Sequence, residues 1–112
     1  MNGAVLVRAR LSLVGLSGAT LLNARLARTD LSGASLSDAQ LSDAILESAR
    51  FCPQEIKDAH GAPTGRVWPA NLTSATFLCA KLRNADLSMA LLNGANFEQA
   101  DLRNADLVQT DL

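Results

Sequence analysis

The large apolar residues of this chain return at every fifth position. Over residues 85–112 they are Leu87, Leu92, Phe97, Leu102, Leu107 and Leu112. Two places before each stands a small residue: Ala85, Ala90, Ala95, Ala100, Ala105 or Thr110. The same frame holds from the start, with Leu6, Leu11, Leu16, Leu21, Leu26, Leu31, Leu36, Leu41, Leu46 and Phe51 as centres. Their small partners depart from alanine only at Val14 and Thr29. A period of five is neither the 3.6 of a helix nor the 2 of a strand. Two inward residues spaced two apart suit a short extended segment. The three positions between are mostly Ser, Asn, Asp, Gly, Arg and Gln, residues that turns favour. A chain that turns every five residues must coil, and stacked coils can satisfy one another's main-chain groups about 4.8 Å apart. No repeat buries its own centre; the neighbours above and below complete the core.

The pattern stops after Phe51. Residues 52–62 read CPQEIKDAHGA, with Pro53 where a helix begins and Gly61 where one ends. This predicts a short helix, or a helical turn or loop, over residues 53–60. Pro63 and Pro69 bracket the return, with Val67 as a degenerate centre, then Leu72, Phe77, Leu82 and the run to Leu112. The step from Phe51 to Val67 is one residue more than three repeats. The excursion at residues 52–63 therefore leaves the scaffold and returns to it. Phe77 and Phe97 are twenty residues apart and are expected to stack on one face as core filling.

These residues resemble the pentapeptide-repeat family, whose pattern is Ala-(Asp/Asn)-Leu-x-x. Residues 85–87, 100–102 and 105–107 read AlaAspLeu, residues 70–72 read AlaAsnLeu, and residues 95–97 read AlaAsnPhe. The resemblance covers the chain apart from residues 52–63. It implies an all-β fold, a right-handed quadrilateral β-helix with four repeats per coil, as a single domain over residues 1–112. Twenty centres then make about five coils. A leucine-rich repeat is the structural runner-up, but its period is about 20–29 residues with an Asn ladder, which this sequence lacks.

Composition adds exclusions. The chain has 112 residues and a net charge of −1, so it carries neither a basic nucleic-acid footprint nor an acidic tail. Arg8, Arg10, Arg25 and Arg28 fall in the first two coils; Asp101, Asp106 and Asp111 fall on successive faces of the last. Arg8 and Arg10 precede an apolar-leaning run over residues 11–24, the outline of an export signal. Ser12, Gly15, Ser17, Gly18 and Thr20 dilute that run, and all of it fits the repeat frame. No stretch reaches the roughly 18 apolar residues of a membrane helix. The expectation is a cytoplasmic protein with no membrane contact. Cys52 and Cys79 fall in neighbouring coils without stacking, so free thiols are expected. His60 is the single histidine and has no second ligand at metal spacing. No nucleophile, base or phosphate loop is evident, so neither enzyme activity, cofactor nor metal is expected.

Function must then sit on the exterior, the excursion or the ends. On the face count above, Val5, Val7, Ile45 and Leu78 share the first face, and Ile56 or Trp68 of the excursion is expected to lie over them. A protein partner on that patch is the alternative occupant. Weak end-to-end self-association is expected around Leu102, Leu107 and Leu112, since stacked coils leave unpaired strand edges. The leading functional reading is a non-catalytic scaffold or protein-interaction module. The second is a DNA-mimicking, gyrase-interacting protein of the quinolone-resistance type, which the family resemblance implies. Near-neutral charge argues against it, because a duplex carries one charge per about 1.7 Å. If the excursion docks on the scaffold, Ile56→Asp lowers the thermal midpoint; a scanning calorimeter checks this.

Overall fold

The computed structural model describes residues 2–108 of the chain. In each repeat the residue just before the centre pairs, in parallel, with its equivalent one circuit further on. Four columns result, and they define four walls. The first holds Val5, Arg25, Ile45, Lys81 and Asp101; the second Arg10, Asp30, Arg50, Asp86 and Asp106. The third holds Gly15, Ser35, Asn71 and Leu91, and the fourth Thr20, Gln40, Thr76 and Asn96.

The main chain explains why five residues make one side. Each centre donates its N–H to the next circuit, as Leu6 does to Arg25 O at 2.8 Å. The residue before the centre donates backwards, as Arg25 does to Ala4 O at 2.7 Å. The residue two after the centre reaches forward, as Arg8 does to Ala27 O at 3.0 Å. A β-turn closes the corner, with Ala9 N–H donating to Leu6 O at 3.0 Å. The third residue of that turn takes a positive φ, for example 63° at Arg8 and 58° at Asn23. A type II turn requires this. One N–H per repeat is left, just after the centre. Where Asp or Asn precedes the centre, its Oδ1 accepts that bond: Asp30 from Ser32 at 3.0 Å, Asn71 from Thr73 at 3.1 Å, Asn96 from Glu98 at 2.8 Å. The Asp/Asn of the repeat is therefore an Asx-turn residue that completes the accounting of main-chain donors.

Leucine and alanine fill the interior. Leu26, Leu36, Leu46, Leu82 and Leu87 are buried, as are Phe51 and Phe77. Leu6, Leu11, Leu16, Phe97 and Leu102, on the outer described circuits, are half-buried, and Leu107 is 40% exposed. Leu112 lies outside the described residues. Phe77 and Phe97 stack at 4.9 Å, and Phe51 meets Phe77 edge-on at 6.5 Å. Thr29 is buried at an alanine position because its hydroxyl donates to Leu6 O at 3.0 Å.

The excursion is not a helix; no helix occurs among the described residues. It is an antiparallel hairpin of β1 (Gln54–Lys57) and β2 (Pro63–Trp68). Asp58 N–H donates to Ala62 O at 2.9 Å around a three-residue loop. Asp58 Oδ1 accepts from His60 N and Ala62 N at 2.8 and 3.0 Å, and Gly61 has φ 79°. Aspartate at the head of a turn and a glycine of positive φ at its end are the residues such a loop needs. The same pair also reads as a helix terminus, but an eight-residue helix is marginal in water on its own. Period-2 burial decides for strand: Gln54 and Ile56 are half-buried, Glu55 and Lys57 exposed.

Val67 is consequently no core centre. It lies in β2 opposite Glu55 and is 42% exposed. Partners stand twenty residues apart elsewhere but thirty-six apart across the hairpin, as with Ser35 and Asn71. Residues 53–68 are thus inserted whole at one corner. At the corner one circuit back, Gly33 N–H donates to Cys52 O at 3.1 Å. Pro53, in the equivalent place, has no N–H to give, so the chain is released there.

The hairpin base rests on Gly33. A Cβ at Gly33 would sit 2.7 Å from Gln54 Cβ, 3.0 Å from Leu13 Cδ2 and 3.1 Å from Trp68 O, whereas one at Gly18 would meet nothing within 4 Å. Both glycines have positive φ, 66° and 71°. Gly18→Ala should cost about 1 kcal/mol, the left-handed penalty alone. Gly33→Ala should cost at least about twice that. Denaturant unfolding of the two variants checks the difference.

Candidate interaction walls

The first wall carries the apolar residues singled out from sequence, with one exception. Val5 and Ile45 share its column, and Val7 stands just after the Leu6 centre on the same wall. Val5 is 65% exposed, Val7 is exposed and Ile45 is half-buried. Leu78 is elsewhere. It lies on the fourth wall, where Asp43 N–H bonds its carbonyl at 2.9 Å. Counting Val67 as a repeat had displaced every later residue by one wall. Ile56 and Trp68 do not cover the first wall either. They belong to the hairpin, which leaves from the corner between the second and third walls beside Leu13 and Gly33.

The sequence reading missed a gathering of cations. Arg8, Arg25, Arg28, Lys81, Arg83 and Arg103 all lie on the first wall or its following corner, and all are exposed. They are six of ten basic residues in a chain of net charge −1. Glu47 and Asp101 are the acids among them, and Asp101 is already engaged by Arg103. Lys81 and Arg83 join Arg25 only once the excursion is given its true length.

The second wall mixes both signs. Arg10, Asp30, Arg50 and Asp86 alternate up the column, and Asp106 follows Asp86 as a second aspartate in succession. Partial burial opposes ionisation of Asp30, but the Ser32 hydroxyl at 2.6 Å and amide at 3.0 Å outweigh it, with Arg50 and Arg10 helping, and hold its carboxyl below the usual range. Ser32 is buried, and its Oγ lies 3.1 Å from Cys52 Sγ. Arg50, 3.7 Å from the same sulfur, is held above its ordinary value by that contact and by Asp30 and Asp86. Cys52 and Cys79 are both free thiols. They lie within one circuit, between the paired Ile45 and Lys81, rather than in neighbouring ones. Cys79 Sγ donates to Gln99 Oε1 at 3.3 Å. His60 sits at the hairpin tip, its main-chain N–H on Asp58. No cluster of metal-ligating residues occurs among the described residues. The surface around Leu102 and Leu107 is partly exposed, and its third member, Leu112, lies outside the described residues.

Asp101 and Arg103 form a bidentate pair, with Nε and a terminal nitrogen at 2.9 and 2.7 Å from the two carboxylate oxygens. These bonds lower the Asp101 carboxyl to about 2. A depressed carboxylate favours the folded chain above its ordinary value of 3.8, and that contribution is lost as pH falls toward about 2. Asp101 should therefore titrate near 2 by carboxyl NMR, and Arg103→Ala should return it upward toward 3.8.

Comparison with known proteins bears on the repeat directly. The family model for pentapeptide repeats matches in eight copies, over residues 9–51 and 80–112. It passes over the stretch that holds the hairpin. HetL, a pentapeptide repeat protein involved in heterocyst differentiation regulation from the cyanobacterium Nostoc sp. strain PCC 7120, is 31% identical with a TM-score of 0.84. That likeness covers 100% of this chain and 46% of HetL, so the chain spans less than half the length of its relative. Rfr23, a pentapeptide repeat protein from the cyanobacterium Cyanothece 51142, is 26% identical, with 98% and 85% of the two chains covered and a TM-score of 0.37. Full-length QnrB1, a plasmid-mediated fluoroquinolone resistance protein, is 18% identical, with 99% and 76% covered and a TM-score of 0.42. The comparison with curated proteins gave no match. With its repeat recognised over most of its length and its whole length matched to part of a solved member of the family, this chain belongs to the pentapeptide-repeat family.

Proposed function

We propose that this chain is a non-catalytic scaffold: one domain over residues 1–112, wound as a right-handed quadrilateral coil of about five turns, that presents its first wall to an acidic protein surface. One observation carries the reading, the concentration of exposed Arg8, Arg25, Arg28, Lys81 and Arg83 around the apolar Val5, Val7 and Ile45. Arginine mixed with apolar side chains is the composition of protein interfaces, where a desolvated centre gives affinity and the charges give orientation and rate. Pentapeptide-repeat proteins are generally structural or interaction modules rather than catalysts.

The gyrase-directed reading is the weaker one. A mimic of DNA needs a continuous acidic face, and the wall where this chain concentrates charge is basic. On its second wall Arg10 and Arg50 interrupt Asp30, Asp86 and Asp106, so that column cannot imitate a phosphate row.

Val5→Glu combined with Arg25→Glu reverses the centre of the wall without touching the core. The expected outcome is a thermal midpoint within about 2 °C of wild type and at least about tenfold weaker retention of the partner captured by the wild-type chain. Equal capture by wild type and variant, read by quantitative mass spectrometry, would move the contact off the first wall.

A further inference from the structure

We propose that the open edge of β1 is a self-recognition strand: two copies of this chain join their hairpins antiparallel about Ile56, turning two two-stranded sheets into one of four strands. The main chain is arranged for this. The Ile56 carbonyl accepts the Thr64 hydroxyl at 2.7 Å, and Asp58 N–H donates to Ala62 O at 2.9 Å. The even-numbered residues of this strand thus turn their main-chain groups toward β2. Alternation turns those of Glu55 and Lys57 toward the opposite side, where, among the described residues, the two-stranded sheet has no third strand. Both residues are exposed. Such an edge is a template for another strand. A lone two-stranded hairpin is also marginal in water, and a wider sheet is not.

The charges choose the occupant and the register. A two-fold axis at Ile56 sets Glu55 opposite the partner's Lys57 and Lys57 opposite the partner's Glu55. Both pairs exchange main-chain hydrogen bonds, because both residues face the open edge, and Ile56 meets the partner's Ile56 at the close position between them. Moving the axis one residue either way brings Glu55 against the partner's Glu55, or Lys57 against the partner's Lys57. Like charges directly opposite destabilise a strand pair. One register is therefore favoured and its two neighbours are penalised. A patch complementary to itself is what a two-fold homodimer requires.

Sedimentation equilibrium over a concentration series at low salt tests the pairing. The wild-type chain should rise toward the dimer mass as concentration increases. Glu55→Lys and Lys57→Glu each place like charges at both flanking positions and should weaken association about tenfold or more. The double exchange should restore it. Mixing the two single variants should restore it too, as a heterodimer. All four chains should share one circular dichroism spectrum, since only exposed charges differ. A wild type that stays monomeric throughout overturns the proposal. Association undiminished in the single variants also overturns it and places the contact on another surface. Failure of the mixture to recover does the same.

Discussion

Everything in this molecule follows from the need of each circuit to satisfy the main chain of the next. Four of the five N–H groups in a full repeat are spent on fixed partners: two on the next or previous circuit beside the centre, one on the next circuit at the corner, and one in the turn. The fifth goes to Asp or Asn where one precedes the centre. With the donors so committed, the side chains have no choice of direction. One large and one small residue per side point inward, and the interior is just wide enough for leucine beside alanine. Thr29 shows the tolerance of the rule: a hydroxyl is accepted inside because Leu6 O is in reach. Phe51, Phe77 and Phe97 show its other limit, since three rings fit only by stacking or meeting edge-on.

The same constraint frees the outer surface. A residue outside the column does not touch the core, so its chemistry is available for recognition rather than for stability. Stacking brings residues far apart in sequence to about 4.8 Å spacing, and any bias in the outward positions becomes a stripe. The second wall uses this to alternate Arg10, Asp30, Arg50 and Asp86. The first wall uses it to collect cations. Neither pattern exists in a single repeat.

The hairpin is the one departure, and it occurs where departure costs least. Pro53 removes a corner N–H whose bond the insertion would have broken in any case. Gly33 supplies the hollow in which the hairpin base rests. The frame then resumes at Ala70 and Leu72 with the ladder intact, Asn71 N–H meeting Ala34 O at 2.9 Å. An inserted segment that enters and leaves at one corner leaves the stack's pairing undisturbed on either side.

The five-residue period by itself determined which side chains face inward, the strand-like sides and the turns. Those are local consequences of spacing, and each repeat states them again. The path of residues 53–68 was not so fixed, because Asp58 and Gly61 serve a hairpin loop as well as a helix end, and nothing nearby in sequence breaks the tie. Placing Val67 in the frame looked equally sound, since a single valine two residues after a glycine satisfies the pattern. Only the stacked structure decided both, by pairing Ser35 with Asn71 and so fixing how much chain the corner releases. Wall membership depends on that length, which is why Leu78 lies on the fourth wall and Lys81 and Arg83 beside Arg25. Inward and outward are local properties of the repeat; which outward residues become neighbours is settled by the register between circuits, and register is a property of the whole stack.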